Sequence, residues 1–189
     1  RQAAVTIAAL KEAGITEMVV ASTGNVAISY SAYAARAGIK LWAFVTSLVP
    51  AVKMREIALY GSQLVKVTGS YDQAKQVAAE FAHQRNLYLD MGARTITSIE
   101  AMKTIAYEIS EQLAARLEVP AGSKPPRWRS PDWYVQAISG GMGPLGVYKG
   151  FDELRRMGFI DRIPAIAPIQ ASGCAPMVTS WKKGLEKAE

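Results

Sequence analysis

Six apolar runs of strand length alternate with helical stretches along the whole chain, and that alternation leaves few folds open. The runs cover residues 18–21, 40–45, 63–67, 87–90, 133–138 and 165–170. Between them the apolar residues recur at helical spacing, as in residues 1–13, 26–37 and 71–84. Strand and helix in strict alternation make an α/β protein with open, mainly parallel sheets flanked by helices. A chain of 189 residues is long enough to bury a sizeable core.

The punctuation fits this reading. Gly14, Gly38, Gly61 and Gly158 stand where four helices stop. Asn25 is expected to cap the second helix, and Pro50 and Pro144 to start two others. Ser70 with Gln73 and Thr97 with Glu100 have capping-box spacing. The expected inward faces are Val5, Ile7, Ala8 and Leu10; Val52, Ile57 and Leu59; Ala74, Val77, Ala78 and Phe81; and Met102, Ile105, Ile109 and Leu113. Residues 119–132 carry four prolines and a glycine and read as a long loop or a domain junction. The expected division is a lobe of residues 1–130 and part of a second lobe, 131–189.

Composition narrows the partners. The net charge of +6 is spread along the chain, with a mild cluster at Lys124, Arg127 and Arg129. Nucleic acid demands a concentrated basic face, so a small anionic ligand is the better match. The longest apolar run, 41–52, is too short to span a bilayer and contains Pro50. The single cysteine, Cys174, excludes an internal disulfide, suits a reducing cytosol, and reads as a small buried residue before a helix. The one histidine, His83, falls half a turn from the apolar stripe of its helix and reads as a surface residue. No zinc site is expected. The chain opens on Arg1, within a helical pattern, and reads as a piece of a longer protein.

Two strand-to-helix loops carry the chemistry. The first, Ser22-Thr23-Gly24-Asn25, offers two hydroxyls, an amide side chain and the backbone N–H groups of a helix start. Such a loop suits a carboxylate, and its amide suits a phenolate-type oxygen. The second, Ser139-Gly140-Gly141-Met142-Gly143, allows close backbone approach, and Pro144 follows it. A phosphate group is its natural occupant. Residues 141–146 also satisfy G-x-G-x-x-G, the dinucleotide pattern. That reading needs an acid at the end of the next strand, where Gln170-Ala171-Ser172 stands instead.

With both loops in place, the chain resembles the threonine synthases, pyridoxal-phosphate enzymes of the tryptophan synthase β-like fold (fold type II). The resemblance rests on Ser22-Thr23-Gly24-Asn25, the stretch EAMKTIAYE from Glu100 to Glu108, the glycine loop with Tyr148-Lys149-Gly150, and Gln170-Ala171-Ser172-Gly173-Cys174-Ala175-Pro176. It implies two lobes of that fold, incomplete at both ends. It also implies that Asn25 hydrogen-bonds the 3′-oxygen of the pyridoxal 5′-phosphate ring. Ser22, Thr23 and Gly24 would hold the substrate α-carboxylate, and the backbone of Ser139, Gly140, Gly141, Met142 and Gly143 the cofactor phosphate. The implied reaction converts O-phosphohomoserine and water to threonine and phosphate, in a cytoplasmic enzyme that is a homodimer when full length.

The sequence departs from that family in three places. The lysine that binds the cofactor covalently would lie two residues before Arg1, so the chain by itself is expected to be inactive. An N-P-x-R-like stretch used for the substrate phosphate is replaced by Thr95-Ile96-Thr97-Ser98. Ala101 stands where the family has glycine. The alternatives are another fold-type-II dehydratase or β-replacement enzyme, a non-catalytic relative that binds a phosphorylated ligand, and an NAD(P)-dependent oxidoreductase.

Overall fold

The computed structural model describes residues 1–22, 24–116, 128–138 and 140–187. The order of elements is α1 (Gln2–Glu12), β1 (Glu17–Ser22), α2 (Asn25–Ala37), β2 (Lys40–Thr46), α3 (Ala51–Leu59), β3 (Gln63–Val67), α4 (Tyr71–Gln84), β4 (Tyr88–Asp90), α5 (Ile96–Ala115), β5 (Trp133–Ala137), α6 (Met142–Arg156), β6 (Ala165–Ile169) and α7 (Pro176–Lys182). All six strands stand where the apolar runs predict them, and every pairing is parallel. The chain falls into two compact units, Arg1–Ser98 and Ile99–Glu189. That division lies inside α5, whereas the sequence reading put it at residue 130, within a segment that lies largely outside the described residues.

The first unit is a four-stranded sheet in the order β3-β2-β1-β4. Successive side chains of a strand point to opposite faces, so a strand covered on both sides is apolar throughout. In β1, Met18 and Val20 join the core under α1, α2 and α3, while Val19 faces α4. In β2, Leu41, Ala43 and Val45 take the first side, while Trp42 and Phe44 pack around Phe81 on the other. Small side chains bring α2 close: Ala27, Ser31 and Ala34 are buried around a fully buried Tyr30.

The second unit contains a two-stranded sheet, β5-β6, and a core of Ala106, Val147, Phe151, Leu154 and Ile160. Here α5 and α6 approach closely. A Cβ on Gly146 would lie 2.5 Å from the Ile99 carbonyl oxygen, and one on Gly150 would lie 2.6 Å from that of Lys103.

Several local expectations are corrected. Asn25 is the first residue of α2, not its cap; the N-cap is Gly24, at φ 132°, and Ser22 does the capping. Pro144 is the third residue of α6, which begins two residues earlier behind a left-handed Gly141. Thr97 lies inside α5 and hydrogen-bonds Thr6 at 2.7 Å, while Glu100 pairs with lysines, so no capping box forms there. The helix is instead preceded by a 3-10 turn over Gly92–Arg94. The buried stripe of α1 is Ala3, Thr6, Ile7 and Leu10, and Ala8 is exposed. In α3 only Ile57 is buried, and Val52 and Leu59 are exposed. Val77 is exposed on α4, where Ala82 is buried instead. Of the expected face of α5, Ile105 and Ile109 pack half-buried on the second core, while the fully buried residues of the helix are the smaller Ser98, Ala101, Ala106, Ser110 and Ala114. Cys174, in the turn before α7, is exposed.

Candidate functional site

Strand order marks the candidate binding edge of the first unit. From β1 the chain steps outward through β2 to β3, then returns to place β4 on the other side of β1. In open parallel sheets, ligands bind outside the carboxyl ends of the strands where the direction of winding reverses. That point lies between the ends of β1 and β4, where Val20 is registered with Asp90. The Ser22–Asn25 loop begins two residues beyond Val20.

At that edge Ser22 is buried, and its Oγ accepts the N–H groups of Gly24 at 3.0 Å and Ala27 at 3.1 Å. Two of the orphan donors at the α2 start are thereby satisfied. The Ser22 hydroxyl keeps its own proton, which is free to be donated. Asn25 is exposed at the helix start, and its amide makes no hydrogen bond to a described residue. Thr23 lies outside the described residues. Tyr71 donates to the Ala21 carbonyl at 3.3 Å and, with Thr46, Leu48, Val49 and Pro50, lines a pocket of about 230 Å³.

Across the reversal point the β4 end is closed on itself. The buried Tyr30 hydroxyl donates to Asp90 Oδ2, while Asp90 Oδ1 accepts the Gly92 N–H at 2.6 Å. Burial first, and the Asp90 charge second, push the Tyr30 phenol far above its ordinary value. Thr95 contacts Asp90 at 3.4 Å, and Ser98, fully buried, accepts from Gln2 at 2.8 Å. The hydroxyls of 95–98 are therefore engaged by their own unit.

In the second unit the glycine loop leads from β5 into α6. Gly141 is in the left-handed region, at φ 77°, a conformation glycine adopts at little cost. The N–H groups of Met142 and Gly143 open the helix, and Pro144 has none. Leu145 N–H is the first to turn back, to the Gly141 carbonyl at 3.3 Å. Free N–H groups and the positive end of a 15-residue helix make a cup for an anion. Ser139 lies outside the described residues, and Gly140 is exposed.

Sequence reasoning missed two features here. The first is the Gln136 side chain, which lies against Gly143, so that a Cβ on Gly143 would overlap its Nε2. Its only signal is a polar residue on the same strand face as Tyr134. The second is an ion network between α5 and α6: Lys103 pairs with Glu100 and, at 2.8 Å, with Glu153; Lys149 pairs with Glu100; and Tyr107 donates to Glu153. Burial disfavours the Lys103 ammonium, but the bonds from Glu100 and Glu153 together outweigh it and hold its pKa well above the usual lysine value. Lys103 and Tyr107 hold Glu153 low, and Lys103 and Lys149 do the same for Glu100. The i,i+3 spacing of Glu100 and Lys103 was its visible trace.

Other ligands find less support. Gln170 follows β6, and its Oε1 accepts the N–H groups of Met177 at 3.0 Å and Val178 at 3.3 Å, capping α7 where a dinucleotide site needs an acid. Among the described residues, no cluster of His, Cys, Asp and Glu is arranged to hold a metal, and no helix is long and apolar enough to cross a membrane.

The chain is 30% identical to a threonine synthase of Methanocaldococcus jannaschii over 173 residues, 91% of this chain and 39% of that protein. It is 29% identical to the threonine synthase of Methanosarcina acetivorans, over 92% of this chain and 40% of that one. The chain thus spans about two fifths of the length of these relatives. Among solved structures, threonine deaminase isoform 2 of Solanum lycopersicum superposes with a TM-score of 0.75 at 20% identity, covering 98% of this chain and 48% of that one. Maize serine racemase superposes with a TM-score of 0.76 at 21% identity, covering 100% and 51%. Residues 1–189 match the family described as pyridoxal-phosphate-dependent enzymes, and the chain belongs to that family.

Proposed function

We propose that the whole protein is a pyridoxal-phosphate-dependent lyase of the threonine synthase kind, acting as a homodimer on O-phosphohomoserine and water to give threonine and phosphate. The observation that carries the cofactor part is the α6 start, where, among the described residues, no carboxylate pairs with the N–H groups at the positive helix end. The relatives at 29 and 30% identity support the substrate part.

Taken unit by unit, the described residues offer donors of the kind the cofactor needs. Its phosphate takes the backbone of Ser139, Gly140, Gly141, Met142 and Gly143, and its ring oxygen the free amide of Asn25. When bound, the cofactor supplies an electron sink for carbanions beside the substrate nitrogen. The chain's own part is to bind and orient. Ser22, Thr23 and Gly24 take the substrate carboxylate, Ser22 through the proton its hydroxyl retains.

A second reading is a dehydratase or β-replacement enzyme acting on an unphosphorylated amino acid. It is favoured by the 95–98 segment, where hydroxyls bonded within their own unit, beside Asp90, replace the amide and guanidinium expected for a substrate phosphate. The full-length protein decides between the two. Binding of pyridoxal 5′-phosphate is read by its visible absorption, followed by assay of phosphate release from O-phosphohomoserine and of ammonia release from serine and threonine. Phosphate release with threonine formation supports the first reading. Ammonia release alone supports the second, and no absorption change with added cofactor overturns both.

A further inference from the structure

A side-chain donor from β5 lies against the glycine loop beside its backbone ones. Gln136 lies on the half-buried face of β5 with Tyr134, opposite the exposed Trp133 and Val135. The Tyr134 hydroxyl donates to Gln136 Oε1 at 2.9 Å. With the tyrosine as donor, the amide oxygen is the accepting end and Nε2 is the end turned away from the Tyr134 hydroxyl. The other end, Nε2, is left with two N–H groups and makes no hydrogen bond to a described residue.

Nε2 is aimed at the loop. A Cβ on Gly143 would overlap it and would lie 2.9 Å from Oε1 and 3.0 Å from Cδ. Gly143 is in an ordinary helical conformation, so its backbone does not require glycine. The amide occupies the space a side chain would take, and as the end of a flexible side chain it would have to shift away from the loop to admit one. Two neighbouring residues are thus matched, one by lacking a side chain and the other by filling the gap with a donor. The donor sits beside the first free N–H groups of α6, where the helix potential is most positive.

We propose that the Gln136 amide is a further binding group for the cofactor phosphate, donating from Nε2 beside the backbone of Met142 and Gly143. This rests on the pyridoxal-phosphate reading of the glycine loop given above. A neutral donor suits a phosphate already facing a helix end, and Tyr134 acts as the positioning residue that keeps its nitrogen forward.

The test uses the full-length protein freed of cofactor, with Gln136→Glu, Gln136→Leu and Tyr134→Phe compared to wild type. Each is titrated with pyridoxal 5′-phosphate, with pyridoxal, which lacks the phosphate, and with inorganic phosphate. Apo-protein melting temperatures check that the variants are folded. The expected result is a loss of pyridoxal 5′-phosphate affinity of at least about tenfold in Gln136→Glu and several-fold in Gln136→Leu. Tyr134→Phe should show a smaller loss, and pyridoxal should bind all four proteins alike. The ³¹P resonance of the bound cofactor should move in Gln136→Leu, which a merely structural role would not cause. Folded variants that match wild type towards both phosphate probes overturn the proposal and leave the cofactor reading intact. A parallel loss of pyridoxal affinity also overturns it. Wild-type protein that binds neither phosphate probe overturns the loop assignment, and the Gln136 role with it.

Discussion

Ser22 Oγ and the Ala27 backbone N–H lie 3.1 Å apart, so the last residue of β1 caps the helix that follows the loop. Loss of an N-cap side chain costs about 1 kcal/mol, and more where the released N–H groups are buried. Ser22→Ala is therefore expected to lower stability by roughly 1–2 kcal/mol in urea unfolding, and Ser22→Thr to recover most of it. An alanine variant as stable as wild type would show that the cap carries no weight.

The closeness of α5 and α6 gives a second expectation. Gly150→Ala drives a methyl group against the Lys103 carbonyl and should destabilise by about 1–3 kcal/mol, as overpacking does. Gly173→Ala, where a Cβ would meet nothing within 4 Å, should stay within about 0.5 kcal/mol of wild type. Thermal melts of the two variants side by side measure the contrast.

Tyr30→Phe removes a donor from the buried Asp90 carboxylate while keeping the ring. A buried acceptor left short of a partner costs about 1–3 kcal/mol. Replacing both groups, as Tyr30→Phe with Asp90→Leu, should cost less than the two single losses added together, and a double-mutant cycle reads that coupling.

The α5–α6 network makes a prediction about pH. The folded pKa of Glu153 lies below the ordinary 4.5, so its contribution is present above that value and is lost as pH falls through the folded one. Lys103 is raised above the ordinary 10.5, so its contribution is complete below that value and is lost only as pH rises through the folded one. Stability should thus fall below about pH 4.5, and Glu153→Gln should fall less steeply there while behaving like wild type in its dependence near pH 7. Melting temperatures across that range test the slope.

Ser110 is buried and its hydroxyl lacks a hydrogen-bond partner among the described residues. Ser110→Ala removes an unsatisfied polar group at little change of volume and is expected to be neutral or stabilising. A clear loss of stability would reveal a partner for that hydroxyl.

Features set by near neighbours in the chain were legible before folding. Ser70 and Gln73 form the capping box their spacing announces, with bonds of 2.7 and 3.2 Å, and Gln63–Val67 is a strand as read. Gly38 ends α2 in the left-handed region, with Ile39 N–H reaching back to Ala34. What failed depended on distant partners. Asn25 has the composition of a cap, but the sharp turn at Gly24 gives the position to the strand residue before it. Thr97 and Glu100 have capping spacing, but Thr6 and two lysines compete for them and win. The inward face of α5 was read in part: Ile105 and Ile109 pack on the core, but the burial of Ala106 follows from how near Gly150 of α6 lies and not from its own hydrophobicity. Of the candidate site, the two backbone loops could be read from glycine and hydroxyl content. Gln136 could not, because one amide in an apolar strand has no pattern of its own.

The sheet order also sets how the first unit comes apart. β1 is registered with β2 from Glu17 to Ser22, whereas β4 offers only Tyr88, Leu89 and Asp90. β2 is close to β1 along the chain, but β4 returns only after α2, α3 and α4, so its pairing closes the longest loop for the fewest bonds. An edge strand held in that way frays before a central one does. Hydrogen exchange should therefore run ahead at Tyr88 to Asp90 of the β1 interior. Heat or denaturant would then open the crevice between β1 and β4 while the sheet beneath it is still folded, so ligand affinity becomes the earliest measure of damage to this protein.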